Sequence, residues 1–90
     1  MKAYIITVED VFDFNSSHRT PIVKFTKKEA QKEMRYLARE AKADFKHLND
    51  VIYEASDDCI EIYPEGYYGE NHFTVTIDQI DIPGVVKARI

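Results

Sequence analysis

One segment of this chain has the period of a helix, and most of what surrounds it has the period of a strand. Ala30, Met34, Leu37, Ala38, Ala41, Phe45 and Leu48 recur at three- and four-residue intervals, the spacing of one helical face. Thr26 stands at the N-cap position with Glu29 three residues on, the Thr-x-x-Glu capping box that marks a helix start. The pattern predicts a helix over 27–48, ended by Asn49-Asp50, with Phe25 and Ala30 as a weak staple across the cap. Several stripe positions are alanine, so the helix backbone can lie close to whatever it covers.

The strands read as 2–8, 22–25, 51–55, 59–63 and 72–78. In the first, Tyr4, Ile6 and Val8 share one face and Ala3, Ile5 and Thr7 the other, which predicts a central place in the sheet. Residues 9–20 read as a loop rich in turn formers, with Phe12 and Phe14 expected to plug the end of the core. Ser56-Asp57-Asp58 joins a hairpin whose second strand turns Ile60 and Ile62 inward and Cys59, Glu61 and Tyr63 outward. Residues 64–71 form a loop carrying Tyr67 and Tyr68. Phe73, Val75 and Ile77 then face in, while His72, Thr74, Thr76 and Asp78 face out. Pro83-Gly84 breaks the chain before 85–90, an edge strand or a tail. The order is ββαβββ: a two-layer α+β domain, with a mainly antiparallel sheet and one long amphipathic helix on one face. Ninety residues are one domain, 1–90, with room for one core and little for a deep cavity besides.

The predicted helix carries a second stripe. Lys28, Lys32, Arg35, Arg39, Lys42 and Lys46 fall within about 40° of one line at roughly 100° per residue. Like charges at i,i+4, such as Lys28 with Lys32, Arg35 with Arg39 and Lys42 with Lys46, repel by roughly 0.2–0.5 kcal/mol per pair. A ridge of this kind is either neutralised by the acids beside it (Glu29, Glu33, Glu40 and Asp44, in pairs such as Glu29 with Lys32 or Glu40 with Lys42) or used as a contact surface. Charge is also divided along the chain. Residues 1–50 sum to +2 and residues 51–90 to −6, giving the net −4. An acidic total with a local basic face argues against general coating of nucleic acid and for an acidic protein surface or a nucleoprotein as counterpart. A second copy of the chain is a further candidate partner. Tyr67 and Tyr68, set between glycines and acids, are candidate anchors in the same contact.

Enzyme chemistry has little support. His18, His47 and His72 lack metal-ligand spacing and fall on different elements, so no metal site is expected. Ser16-Ser17-His18 has no nucleophile elbow. Asp57, Asp58 and Glu61 have the charge to hold a cation, but aspartates serve hairpin turns for backbone reasons. Cys59, beside Asp57 and Asp58, is expected to be a quiet thiol, and a single cysteine makes no internal disulfide. No glycine-rich phosphate loop is present, and no cofactor is expected. With neither a secretory leader nor a long apolar run, the expected compartment is the cytosol, with no membrane partner.

The segment Val23-Lys24-Phe25-Thr26-Lys27-Lys28-Glu29-Ala30, after the opening Met1-Lys2-Ala3-Tyr4-Ile5, resembles the strand-to-helix junction of small proteins encoded by phages and mobile elements. The resemblance covers the first half of the chain. Inhibitors of host defence, anti-CRISPR proteins among them, are of this kind. It implies action by binding, often through acidic faces that occupy nucleic-acid sites. Residues 54–81, with eight acids and no Lys or Arg, suit such mimicry; the basic ridge departs from it. The expectation is a non-enzymatic module that binds a protein or nucleoprotein. Binding of free nucleic acid through the ridge is the first alternative, and a small enzyme the second.

Overall fold

Apolar residues on both faces place the N-terminal strand inside the sheet, and strand β1 (Lys2–Phe12) is paired on both sides. The computed structural model of the chain describes residues 1–12, 15–45, 50–66 and 71–82. These form β1, β2 (Asn15–His18), β3 (Ile22–Lys24), helix α1 (Lys27–Asp44), β4 (Val51–Ala55), β5 (Cys59–Pro64) and β6 (His72–Asp81). The six strands make one antiparallel sheet in the order β2-β1-β6-β5-β4, with β3 also on β1. The α+β class with one helix on a mainly antiparallel sheet is as read from sequence.

The largest departure lies in residues 9–20. Residues 9–12 and 15–18 are paired strands, not loop: β1 runs on to Phe12, and β2 lies antiparallel to it from Phe12↔Asn15 to Glu9↔His18. The element order is therefore βββαβββ. The polar residues that look like turn formers are cross-strand partners. Asp10 is buried, accepts a hydrogen bond from the Ser17 hydroxyl, and pairs with the Arg19 guanidinium at 3.3 Å. Beyond Arg19 the chain passes through Pro21, which has no N–H to offer, and rejoins β1 as β3, from Ile6↔Ile22 to Tyr4↔Lys24. On its other side β1 pairs with β6 over ten positions, Lys2↔Asp81 to Val11↔His72.

Helix α1 starts where the capping box places it. The Thr26 hydroxyl oxygen accepts the Glu29 backbone N–H at 3.1 Å. The return contact differs from the box pattern, since the Glu29 carboxylate accepts the Thr26 hydroxyl at 3.0 Å rather than the Thr26 N–H. No staple forms, because Phe25 is 59% exposed. The helix ends at Asp44, with Phe45 as its C-cap donating its N–H to the Lys42 carbonyl at 3.1 Å. That is earlier than the expected 48. Asp50, at φ 54°, turns the chain into β4, a left-handed conformation that Asp tolerates.

Ala30, Met34, Leu37, Ala38, Ala41 and Phe45 of the helix side are all buried against Ile6, Val8, Ile60, Ile62, Phe73, Val75 and Ile77 of the sheet. The Phe12 and Phe45 rings meet at 5.3 Å and close one end of this core, as expected of Phe12. The helix backbone packs over β1, β5 and β6 and reaches β3, while the backbone of β4 lies beyond this close packing. Phe14, Lys46, Leu48, Tyr67, Tyr68 and residues 83–90, all read from sequence above, lie outside the described residues.

Candidate interaction surface

Lys28, Lys32, Arg35, Arg39 and Lys42 are exposed along α1. Helical geometry sets them about 130° round from the buried stripe, with Glu29, Glu33, Glu40 and Asp44 on the opposite flank. Contacts with the sheet show which way each flank faces. The Lys24 ammonium lies 3.8 Å from the Glu33 carboxylate, so the acidic flank leans over β3. On the other side Gln31 Nε2 donates to the Asp57 carbonyl at 3.1 Å, and Lys42 Nζ stands 5.3 Å from the centre of the Tyr53 ring. The basic flank therefore overhangs the β4–β5 hairpin.

The ridge makes few direct charge contacts within the described structure. Among the described residues, Lys28, Lys32, Arg35 and Arg39 make no ion pair, and the pairs expected of Glu29 with Lys32 and Glu40 with Lys42 do not form. Glu40 is engaged instead with Tyr36, whose hydroxyl it pushes up in pKa, first by charge and then by accepting its hydrogen bond.

Beneath the ridge the sheet ends in an open strand. The hairpin hydrogen bonds Ser56 N–H to Cys59 carbonyl at 2.8 Å and Glu65 N–H to Asp50 carbonyl at 2.9 Å fix the phase of the ladder. Even-numbered residues of β4 point their backbone groups at β5. The N–H and C=O of Val51, Tyr53 and Ala55 point away from the sheet. Among the described residues nothing pairs with them. Sequence reading placed β4 correctly but did not identify this edge, because edge position depends on which strands pair.

The uncovered face of the sheet carries a transverse row set by the register: His18, Glu9, Thr74, Glu61 and Glu54. Tyr63 donates its hydroxyl hydrogen bond to Glu54. His72 Nε2 lies 3.4 Å and His18 Nε2 3.8 Å from the two oxygens of Glu9. His72 is on this face as expected, but is 8% exposed rather than open. His18 and His72 read from sequence as unrelated; strand pairing brings them to one carboxylate. Among the described residues, no three His, Cys, Asp or Glu groups are arranged to hold a metal ion. Cys59 lies on the same face, its thiol pushed up by burial first, then by Glu61 and Asp58; Glu61 takes the part expected of Asp57. This favours the neutral, unreactive thiol.

Two grooves flank the helix. One of about 430 Å³ is lined by Tyr4, Lys27, Asp57, Asp58, Ile77 and Gln79; another of about 440 Å³ lies between Lys24, Glu33 and Tyr36. Neither is lined by a histidine or a cysteine. No helix among the described residues is long and apolar enough to cross a membrane. The chain matches no family model, no curated protein and no solved structure.

Proposed function

We propose that the chain is a non-catalytic interaction module that binds an anionic surface of a protein or nucleoprotein through the basic ridge of α1. One observation carries this reading: Lys28, Lys32, Arg35 and Arg39 stand exposed at mutually repelling spacing without an ion pair among the described residues. Such an arrangement costs the free domain stability and returns it only when negative charge arrives. The net charge of −4 and the carboxylate row on the uncovered face favour a partner with a localised acidic site over bare nucleic acid. The finer reading, a phage-derived inhibitor of host defence, is supported by the resemblance of residues 1–5 and 23–30.

The test is capture of partners from the native host with the wild-type chain, repeated with Arg35→Glu/Arg39→Glu. The expected result is a specific partner that the variant loses while folding normally. Labelled duplex and single-stranded oligonucleotides should bind weakly at physiological salt. Tight binding that falls steeply with salt and is abolished by the variant would instead establish a nucleic-acid-binding domain.

A further inference from the structure

The two edges of the sheet are treated differently. On the β1 side the edge is built from two short strands, β2 and β3, interrupted at residues 19–21 by Pro21 and carrying Lys24, devices that discourage another strand from adding. On the other side β4 pairs with β5 without a bulge from Val51↔Pro64 to Ala55↔Ile60 and contains neither Lys nor Pro. Among the described residues nothing pairs with its outward groups on Val51, Tyr53 and Ala55, which form a template for a further strand.

What lies above and below that template differs in sign. Residues whose backbone faces outward turn their side chains to the helix side, where Tyr53 already meets Lys42. Arg35 and Lys42 are the ridge residues that helical geometry sets nearest this edge. On the uncovered side, Glu54 and Glu61 face each other across β4 and β5. An added strand presents alternate side chains to these two environments, and it lies about 4.8 Å beyond β4, whose Tyr53 ring stands 5.3 Å from the Lys42 ammonium.

We infer that β4 is a docking edge for an extended partner segment with acidic residues at alternate positions, added antiparallel so that its acids meet Arg35 and Lys42. This rests on the ridge-binding reading and specifies the shape of the partner. Each acid on the helix side meets a cation, and a basic or neutral residue between acids avoids Glu54. A second copy is the poorer occupant. Two-fold pairing of β4 with itself would set Val51, Tyr53 and Ala55 of each copy beneath the other's ridge, none of them acidic, and would bring two basic ridges to the same face. Antiparallel addition follows the rest of the sheet, in which every neighbouring pair is antiparallel.

Two acetylated, amidated eight-residue peptides of one composition test this, one alternating Glu with Lys and one with all Glu before all Lys. Each is titrated into the 15N-labelled full chain. The alternating peptide should bind at least about tenfold tighter, because only a strand sorts its side chains by twos, and should shift the amides of Val51, Tyr53 and Ala55 most. In antiparallel addition the amides facing β4 belong to the Glu residues. N-methylating them should cost about tenfold or more, and N-methylating the Lys amides about twofold or less. Equal binding of the two peptides, or indifference to the position of N-methylation, overturns strand addition and leaves the ridge reading standing on its own test. A chain that sediments as a dimer with its β4 amides protected, or a DNA duplex that shifts the same amides more strongly than the alternating peptide, also overturns it.

Discussion

Reversing two charges on the ridge should make this protein more stable. In Arg35→Glu/Arg39→Glu, the pair Lys32 with residue 35 and the pair residue 39 with Lys42 change from repulsive to attractive, while residues 35 and 39 still repel each other. The other i±3 and i±4 neighbours of the two positions are Gln31, Tyr36, Ala38 and Ala43, none of them charged at neutral pH. At about 0.2–0.5 kcal/mol for each repulsion lost and each attraction gained, two pairs yield roughly 0.8–2 kcal/mol at low salt. Screening at physiological ionic strength brings this to about 1 kcal/mol, since all these groups are exposed. For a domain of this size that is a rise of about 4–8 °C in melting temperature. Thermal melts of both proteins at low salt and in 1 M NaCl, where the screening length shrinks to about 3 Å, read it directly. The gap should close in high salt, mainly because the wild type gains stability there. A variant that melts below the wild type at low salt would refute the reasoning, since it would mean that Arg35 and Arg39 are held by acids of their own fold.

Thr26→Ala should cost about 0.5–1 kcal/mol in urea unfolding, the low part of the range for caps because the Glu29 N–H can turn to water; an unchanged midpoint would place the helix start elsewhere. Met34→Ala, at a position 1% exposed between helix and sheet, should cost about 2–5 kcal/mol, and a loss under about 1 kcal/mol would mean that the helix does not pack there. Cys59 should react with iodoacetamide more slowly at pH 8 than a free thiol, and faster in Glu61→Gln, where one of the groups holding its proton is gone. Because the folded thiol has its pKa raised, its contribution to stability is complete below the ordinary thiol value of about 8.5 and is lost above it. Wild type should therefore lose stability relative to Cys59→Ser as pH rises through that range; parallel pH curves would show the thiol to be unperturbed.

The parts legible in the sequence are those governed by local period. The stripe from Ala30 to Phe45, the capping box at Thr26 and the alternation of β5 and β6 each follow from neighbours a few residues away. The pairing of β1 and β2 was hidden because its polar residues have turn chemistry, and only the partnership of Asp10 with Ser17 and Arg19 makes them strand residues. The same holds for the candidate surface. The ridge is visible as spacing, but its place above β4 depends on Lys42 reaching Tyr53 and Gln31 reaching Asp57, contacts made across the chain. His72 and Glu9 are separated by 63 positions, so no local pattern could join them.

The unequal edges also set how many molecules can join. A sheet that is receptive on both sides can polymerise, since each newcomer offers a fresh margin to the next. Here, among the described residues, one margin is left open at β4 and the other is fractured into β2 and β3, so copies of the chain lack the second receptive edge that a fibre of sheets needs. Counted by its own edges, the domain has a valence of one.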